Sequence, residues 1–196
     1  MCGFAGFVGE VENREQVLEN MIDTIIHRGP DSSGKFVDED AALGFRRLSI
    51  IDLSESGDQP LYNEDRSKVL VFNGEIYNYQ ELREELIQAG HTFVSNTDSE
   101  TLIHGYEQWG EELVYRLRGM YAFAIWDQKA KRLFSARDIF GIKPLYYAQM
   151  NGTLMFGSEI KSFLEHPKFD KIFNEDALGN YLSFQFVPSD ETFFKG

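Results

Sequence analysis

Hydrophobic and polar residues follow two different spacings along the chain, and each spacing predicts one type of element. Apolar side chains that recur every three or four residues indicate amphipathic helices. The first such segment starts after Asn13, which is the predicted cap, and the second ends at Gly90, a typical residue just past a helix. Helical spacing is found in residues 14–26, 79–89, 97–109, 158–165 and 174–182.

Short runs of β-branched and aromatic residues predict strands between these helices. Residues 3–9 and 41–52 precede the helical pair, and residues 68–72 are predicted to form a buried strand that stops at Asn73-Gly74. From Met120 onward, four further runs are separated by turn signals. This order of strands, two helices and more strands favours an α+β fold over a doubly wound sheet.

Two segments rich in Gly, Pro, Asp and Ser are predicted turns or loops: residues 27–34 (HRGPDSSG) and residues 54–60 (SESGDQP). A third segment, ARDIFGIKPLYY, carries charges and aromatic side chains on predicted strands. We interpret this third segment as structural.

Length and charge narrow the classes of function. A chain of 196 residues is the size of one domain. The net charge of −13 and the lack of a basic cluster argue against nucleic-acid binding. The longest apolar run, residues 120–126, is far shorter than the ~20 residues of a membrane helix. No signal peptide is evident at the N-terminus, so we expect a cytosolic protein.

Cysteine and histidine usage limits the covalent and metal chemistry. The chain has one cysteine, Cys2, which excludes an internal disulfide and a zinc site built from several thiolates. Four histidines are scattered without metal-ligand spacing, and we predict no metal site: His27, His91, His104 and His166.

Cys2 is a candidate nucleophile because it follows the initiator methionine. Removal of Met1 would leave a cysteine with a free α-amine, whose pKa lies near ~7.7–8.0, beside a thiol with a pKa near ~8.5. A terminal amine of this kind can activate the adjacent nucleophile, so no separate histidine is needed. The alternative is a free cysteine buried at the start of a strand.

Asn73-Gly74 allows two interpretations. An Asn-Gly pair at a strand end is a strong turn signal. An amide side chain and a glycine N–H at a strand end can also form an oxyanion hole, in which one donor contributes ~2.7–4 kcal/mol. Both interpretations stay open at this stage.

Arg47 and Asp98 together suggest a site for a free amino acid. Arg47 could clamp an α-carboxylate with two hydrogen bonds, or it could pair with surface carboxylates. Asp98 could receive an ammonium group, or it could only cap a helix. Arg28, within HRGPD, could belong to the wall of such a pocket.

Nine segments, taken in order, resemble the glutaminase domain of asparagine synthetases, within the class II glutamine amidotransferases. Each segment is modest alone, but their joint order and spacing are specific and span nearly the whole chain. They are MCGFAGF, HRGPDSSG, RRLSIIDLS, GDQPL, FNGEIYN, TDSETL, LRGMYAFAIWD, ARDIFGIKPLYY and FGSEIKSFL.

The resemblance implies an N-terminal-nucleophile (Ntn) hydrolase fold, a four-layer αββα sandwich of mainly antiparallel sheets. It implies that Cys2 attacks the side-chain amide of glutamine and that Asn73 and Gly74 form the oxyanion hole. Arg47 would bind the substrate carboxylate. The other implied substrate contacts are Glu75 and Asp98 near the α-ammonium and the backbone of Ile50 and Ile51.

The resemblance also implies the domain organisation and the partners. We expect the glutaminase domain over residues 2–182, and residues 183–196 as the start of a linker to a C-terminal synthetase domain that is not in this chain. That domain would use ATP and Mg²⁺ to activate aspartate and would receive the ammonia, whereas the glutaminase half needs no cofactor. A homodimer is left open.

Two alternatives to a catalytic glutaminase remain. A non-catalytic regulatory or binding domain could keep the same fold, and retention of Met1 would favour it because Cys2 would then lack a free amine. An unrelated thiol protein or redox sensor would have a reactive Cys2 without any dependence on glutamine.

Overall fold

The computed structural model describes residues 1–48, 57–188 and 190–196, and these residues form two β-sheets and four α-helices. All neighbouring strands of the two sheets run antiparallel. The predicted α+β class is therefore confirmed. Among the helices of the described residues, none combines the length and apolar character required to cross a bilayer.

The first sheet carries the N-terminal strand at its centre. Its strands are β1 (Gly3–Val8), β2 (Ser32–Val37), β3 (Ala41–Arg47), β8 (Tyr146–Met150) and β9 (Thr153–Gly157). Their order across the sheet is β2-β3-β1-β9-β8. Gly3 pairs with Arg46, so the continuation of the ladder brings Cys2 beside Arg47, the last residue of β3.

The second sheet is dominated by one long antiparallel pair of strands. Its strands are β4 (Leu61–Tyr62), β5 (Lys68–Ile76), β6 (Gly119–Asp127) and β7 (Arg132–Arg137), in the order β4-β5-β6-β7. β5 and β6 pair along their whole length, from Lys68 opposite Asp127 to Ile76 opposite Gly119.

The described residues contain four α-helices, and the first three pack on the outer faces of the sheets. They are α1 (Arg14–Asp23), α2 (Tyr79–Gln88), α3 (Asp98–Trp109) and α4 (Glu175–Phe184). Within the described residues, short 3-10 helices span Ile26–Arg28, Gly110–Tyr115 and Ile160–Glu165.

Three apolar layers hold the sandwich together. Between the sheets, Phe45 of the first sheet packs in one cluster with Val71 and Trp126 of the second. A second cluster joins α1 to the outer face of the first sheet, and a third joins α2 and α3 to the outer face of the second sheet. The layers therefore follow the predicted αββα order.

The alternation of side chains along a strand decides which residues face the inter-sheet layer. Phe4 and Phe45 belong to the inter-sheet core. Cys2 lies two residues before Phe4, and Arg47 lies two residues after Phe45. Both side chains are therefore expected on the same inner face. The polar residues at this end of the first sheet thus share the layer between the two sheets.

Asn73 and Gly74 correct one prediction, because β5 does not stop there. Both residues lie inside the strand, where Asn73 pairs with Ala122 and Gly74 pairs with Tyr121 of β6. A Cβ atom at Gly74 would lie 2.3 Å from the carbonyl oxygen of Met120, so close strand pairing requires glycine here. The turn interpretation of Asn73-Gly74 is wrong.

Several element boundaries also differ from prediction. The predicted turn over residues 27–34 contains the start of β2 at Ser32, because β3 offers a pairing edge that local sequence does not reveal. The helix predicted over residues 14–26 ends at Asp23. The C-terminal segment packs back on the domain, with Phe173 and Phe194 in an isolated β-bridge.

Candidate active site

Cys2 lies at the entrance to β1 and is half-buried. Its side chain packs against the inter-sheet core. The backbone N–H of Leu48 donates to Sγ at 3.4 Å, and Sγ lies 3.7 Å from the carbonyl oxygen of the same residue. The thiol is therefore held beside the chain that leaves β3.

Arg28 holds the backbone of Cys2. Its Nε donates to the carbonyl oxygen of Cys2 at 3.0 Å, and its Nη1 donates to Glu159 Oε1 at 3.0 Å. Gly3 leaves room for this side chain, since a Cβ there would lie 2.9 Å from Arg28 Cδ. The Nη2 of Arg28 is buried without a hydrogen-bond partner in the described part of the chain.

Glu159 anchors that arginine from the far side. Burial raises the pKa of Glu159, but hydrogen bonds from Arg28, Lys161 and His27 outweigh it and lower the pKa below the usual value. The carboxylate is therefore ionised at neutral pH and gives Arg28 a charged partner. Sequence reasoning did not single out Glu159, because it lies 131 residues from Arg28 along the chain.

Arg47 is buried at the end of β3, and the next residue, Leu48, donates its backbone N–H to Cys2 Sγ at 3.4 Å. Its Nη1 donates to Asp58 Oδ1 at 2.7 Å. A Cβ at Gly57 would lie 2.4 Å from Arg47 Nη2, so glycine there leaves space for the guanidinium group. The guanidinium group thus already binds one carboxylate, which is the chemistry that an amino-acid substrate would need.

Asn73 is buried, with 4% of its surface exposed, and faces the inter-sheet layer in step with Val71. Its Nδ2 has no hydrogen-bond partner among the described residues. A buried donor without a partner costs about 1–3 kcal/mol. Such a cost is offset when a ligand oxygen arrives, which makes this amide a candidate donor to an oxyanion.

Asp98 connects the start of α3 to the end of β5. Its Oδ2 accepts a hydrogen bond from the Ile76 backbone N–H at 2.9 Å. Burial raises the pKa of this carboxyl group, and the nearby charge of Glu75 raises it further. A positively charged group beside these two carboxyl groups would favour the ionised form of Asp98, which makes this a candidate site for an ammonium group.

The structure brings these residues into two neighbouring groups. Cys2, Arg28 and Arg47 surround the start of β1, whereas Asn73, Gly74, Glu75 and Asp98 surround the end of β5.

Gln59 links the two groups. Its neighbour Asp58 binds Arg47, while its own amide accepts from Phe72 N at 2.6 Å and donates to Phe72 O at 3.2 Å. The carboxylate-binding arginine is thereby tied to the residue preceding Asn73. Ile50 and Ile51, predicted to offer backbone contacts, lie outside the described residues.

Asp138 lies in the segment ARDIFGIKPLYY, which we interpreted as structural. It is buried and accepts hydrogen bonds from four backbone N–H groups, which shape the loop between β7 and β8. The donors are Tyr121, Phe140, Ile142 and Lys143.

The fold places the chain in a structural class. Glutamine phosphoribosylpyrophosphate amidotransferase from B. subtilis matches it with a TM-score of 0.70 at 22% identity, over 83% of this chain and 43% of that one. The allosteric regulatory enzyme of purine biosynthesis matches with a TM-score of 0.69 at 22% identity, over 84% and 43% of the two chains. The fold is therefore that of the Ntn-type amidotransferases.

The sequence then identifies the family. The family described as the glutamine amidotransferase domain matches residues 1–196, and the chain belongs to it. Glutamine-hydrolysing asparagine synthetase 1 of Bacillus subtilis is 48% identical over 98% of this chain. The glutamine-hydrolysing asparagine synthetase of Zea mays is 44% identical over 83% of it.

These relatives confirm the resemblance to asparagine synthetases and mark the chain as an enzyme domain. They are much longer proteins, because the chain spans 31% of the Bacillus subtilis relative and 28% of the Zea mays relative.

Proposed function

We propose that this chain is a glutaminase domain in which Cys2, exposed as the N-terminal residue after removal of Met1, hydrolyses glutamine to glutamate and ammonia. The observation that carries the proposal is the juxtaposition of Cys2 with buried Arg47 at neighbouring strand ends. It sets a nucleophile beside a carboxylate-binding cation in one layer.

In the proposed pose, Arg47 binds the substrate α-carboxylate in place of Asp58. The α-ammonium group lies toward Glu75 and Asp98, whose negative charges favour it. Ile50 and Ile51 contribute backbone contacts. These anchors leave the side-chain amide of glutamine directed at Cys2.

The first chemical step forms a thioester. The α-amine of Cys2 takes the thiol proton, and the sulfur attacks the amide carbon. The carbonyl electrons move to oxygen, which accepts hydrogen bonds from Asn73 Nδ2 and the Gly74 N–H. Collapse of this tetrahedral intermediate breaks the C–N bond, and the amine returns the proton so that ammonia leaves.

The second step regenerates the enzyme. Water attacks the thioester carbon with the α-amine as base, the same donors bind the oxyanion, and the sulfur leaves to give glutamate. This half-reaction is proposed to need no metal ion or cofactor.

We further propose that the ammonia serves a C-terminal synthetase domain, which residues 183–196 would join to the glutaminase domain over residues 2–182. The relatives named as asparagine synthetases support this, since each is about three times as long as this chain. There, ATP and Mg²⁺ would activate aspartate for amidation. A cytosolic location fits this metabolism, and a homodimer is a further arrangement to test.

The test combines intact mass with a glutaminase assay on the purified chain and on the full-length gene product. We expect a mass lacking Met1 and release of glutamate and ammonia in equal amounts. Cys2→Ala should lower turnover on the order of 10³-fold or more, with an unchanged melting temperature.

Two outcomes would contradict the proposal. Normal turnover by Cys2→Ala would exclude the sulfur as nucleophile. A full-length product that lacks Met1 but neither binds nor hydrolyses glutamine would favour the non-catalytic domain.

A further inference from the structure

A cluster outside the candidate active site joins the segment after α2 to α3. His91 lies in that segment, while His104 and Glu107 lie on α3. One potential ligand atom from each of the three residues lies within 4.8 Å of the others. His104 Nδ1 is 3.3 Å from Glu107 Oε2, and His91 Nδ1 is 3.9 Å from the same oxygen.

The partner of His91 determines which of its nitrogens carries the proton. His91 Nε2 lies 3.2 Å from Gln108 Oε1, and an amide oxygen only accepts hydrogen bonds. Nε2 therefore carries the hydrogen, and the neutral ring directs the lone pair of Nδ1 toward Glu107 Oε2. Two acceptors then face each other, an arrangement that is favourable when a cation lies between them.

The outer contacts resemble those that orient metal ligands. His104 directs its Nε2 toward Glu100 Oε1 at 3.6 Å. Glu107 Oε1 accepts from Asn63 Nδ2 at 2.8 Å, which leaves Oε2 for the cluster. Metal-binding histidines commonly donate their second N–H to a carboxylate or carbonyl group, and ligating carboxylates are themselves hydrogen-bonded.

We propose that His91 Nδ1, His104 Nδ1 and Glu107 Oε2 bind a divalent transition-metal ion of the Zn²⁺ type. A tetrahedral ion with ligand bonds of about 2.0–2.1 Å separates its ligand atoms by about 3.4 Å. The separations of 3.3 and 3.9 Å from Glu107 Oε2 bracket that value, and the ligand atoms of the two histidines lie within 4.8 Å of each other, so binding would draw the two rings together.

The alternative occupant of the cluster is a proton. Burial lowers the pKa of His104, but hydrogen bonds with Glu100 and Glu107 outweigh it and raise the pKa to about 9. A metal ion would displace the proton on Nδ1. The binding experiment therefore separates a metal site from an ion-paired histidine.

The proposed ion would be structural. It would tie the segment after α2 to α3, the helix that begins with Asp98, without touching the substrate. Its presence is independent of whether Cys2 is a nucleophile, and metal binding can be measured without any assay of activity.

The experiment uses the full chain freed of metal by a chelator and then dialysed against ZnCl₂. We expect one equivalent of Zn²⁺ and a higher melting temperature with Zn²⁺ than without. Co²⁺ should give the visible absorption of a tetrahedral site. His91→Gln and Glu107→Gln should each weaken binding by at least about tenfold.

His27→Gln is the matched control, because His27 Nε2 also lies 3.0 Å from a carboxylate, that of Glu159. It should retain the wild-type stoichiometry. If Glu107→Gln does not fold, His91→Gln decides, since His91 is only half-buried. Absence of bound Zn²⁺ in the wild type, or equal binding by His91→Gln, would overturn the proposal.

Discussion

Asn73 and His166 are both buried, and each leaves one side-chain nitrogen without a hydrogen-bond partner among the described residues. Asn73 Nδ2 belongs to the layer between the sheets, near Gly74 and the cysteine-bearing end of β1. His166 Nε2 lies in a different environment, where its ring packs edge-on against Phe7 at 4.8 Å between centroids. The missing hydrogen bond therefore occurs among polar groups at Asn73 and beside an aromatic ring at His166.

The difference shows how to interpret a buried polar group that lacks a partner. An amide cannot change its charge, so Asn73 retains an unused donor until a ligand oxygen arrives. Histidine can avoid the larger penalty by staying neutral, and burial and the charge of Lys168 lower the pKa of His166 to about 4. Asn73 therefore has the features of a functional donor, whereas His166 has those of a structural residue.

Of the two buried residues, Asn73 should have the larger effect on catalysis when it is replaced by alanine. Loss of one oxyanion donor is expected to lower kcat by about 10²–10³-fold, because ~2.7–4 kcal/mol of transition-state stabilisation is lost. The melting temperature should change little, since the amide makes no hydrogen bond through Nδ2. Steady-state glutaminase kinetics and thermal unfolding test the two statements.

Asn63→Ala is the matched control for that variant. Asn63 is also buried, but its Nδ2 is bonded to Asp65, Ser67 and Glu107. We expect a loss of about 1–3 kcal/mol of stability and a kcat near the wild-type value. A kcat for Asn73→Ala equal to that of Asn63→Ala would remove the distinction between the two buried amides.

His166 should make the stability of the fold depend on pH, with stability lost as the pH falls. The folded pKa of about 4 lies below the unfolded value of 6.5, so the stability is fully present above pH 6.5 and is lost as the pH falls toward 4. Integrated over that window, the loss approaches about 3 kcal/mol. Denaturant titrations at several pH values between 4 and 7 measure it.

His166→Asn is the variant that tests this window. Asparagine can keep an acceptor for the Lys168 N–H, which donates to His166 Nδ1 at 3.2 Å, but it does not titrate. The loss of stability between pH 6.5 and 4 should shrink, while kcat at pH 7.5 stays unchanged. The same acid sensitivity in the variant would assign it to other groups.

Arg47→Lys should weaken substrate binding. Lysine keeps the charge but cannot bind a carboxylate with two parallel hydrogen bonds, so we expect KM to rise about 10-fold or more with a smaller change in kcat. Arg46→Lys is the matched control, because Arg46 points away from the inter-sheet layer and bonds to Ile22 and Asp23. Equal KM values in the two variants would argue against the carboxylate clamp.

Gln59→Ala should reduce stability more than the substitution of an exposed glutamine does. The loss of its two hydrogen bonds leaves the buried N–H of Phe72 without its partner, which is expected to destabilise the fold by about 1–3 kcal/mol. Gln149→Ala, at an exposed position of β8, should change stability by less than about 0.5 kcal/mol. Urea unfolding of both variants compares them.

The local pattern of apolar and polar residues was sufficient to predict most helices and strands. The helix predicted from residue 97 or 98 to about Trp109 is confirmed, because its apolar positions recur at helical spacing. The strand break at Asn73-Gly74 was wrong, because β6 supplies a partner along the whole of β5 and overrides the local turn preference. The turn preference of a residue pair has less influence than strand pairing where a long partner strand is present.

The candidate site residues could be predicted from the sequence, but the residues that hold them in place by hydrogen bonds could not. Cys2, Arg47, Asn73 and Asp98 were candidates from residue type and from the resemblance, and their catalytic roles stay predictions. Glu159 and Gln59 were not singled out. Glu159 anchors Arg28, and Gln59 bonds to Phe72, the residue before Asn73 in β5. Such partners are distant along the chain and are found only from coordinates.

The amino-acid sequence by itself determined the family, the α+β class and the identity of the candidate nucleophile, because these follow from residue types, their spacing and their order. The tertiary structure decided which buried donors lack partners, and it brought His91 and His104 together although their spacing predicted no metal site. The reason is physical: hydrogen bonding and burial depend on which segments pack side by side, and long-range packing is not encoded in any single local pattern.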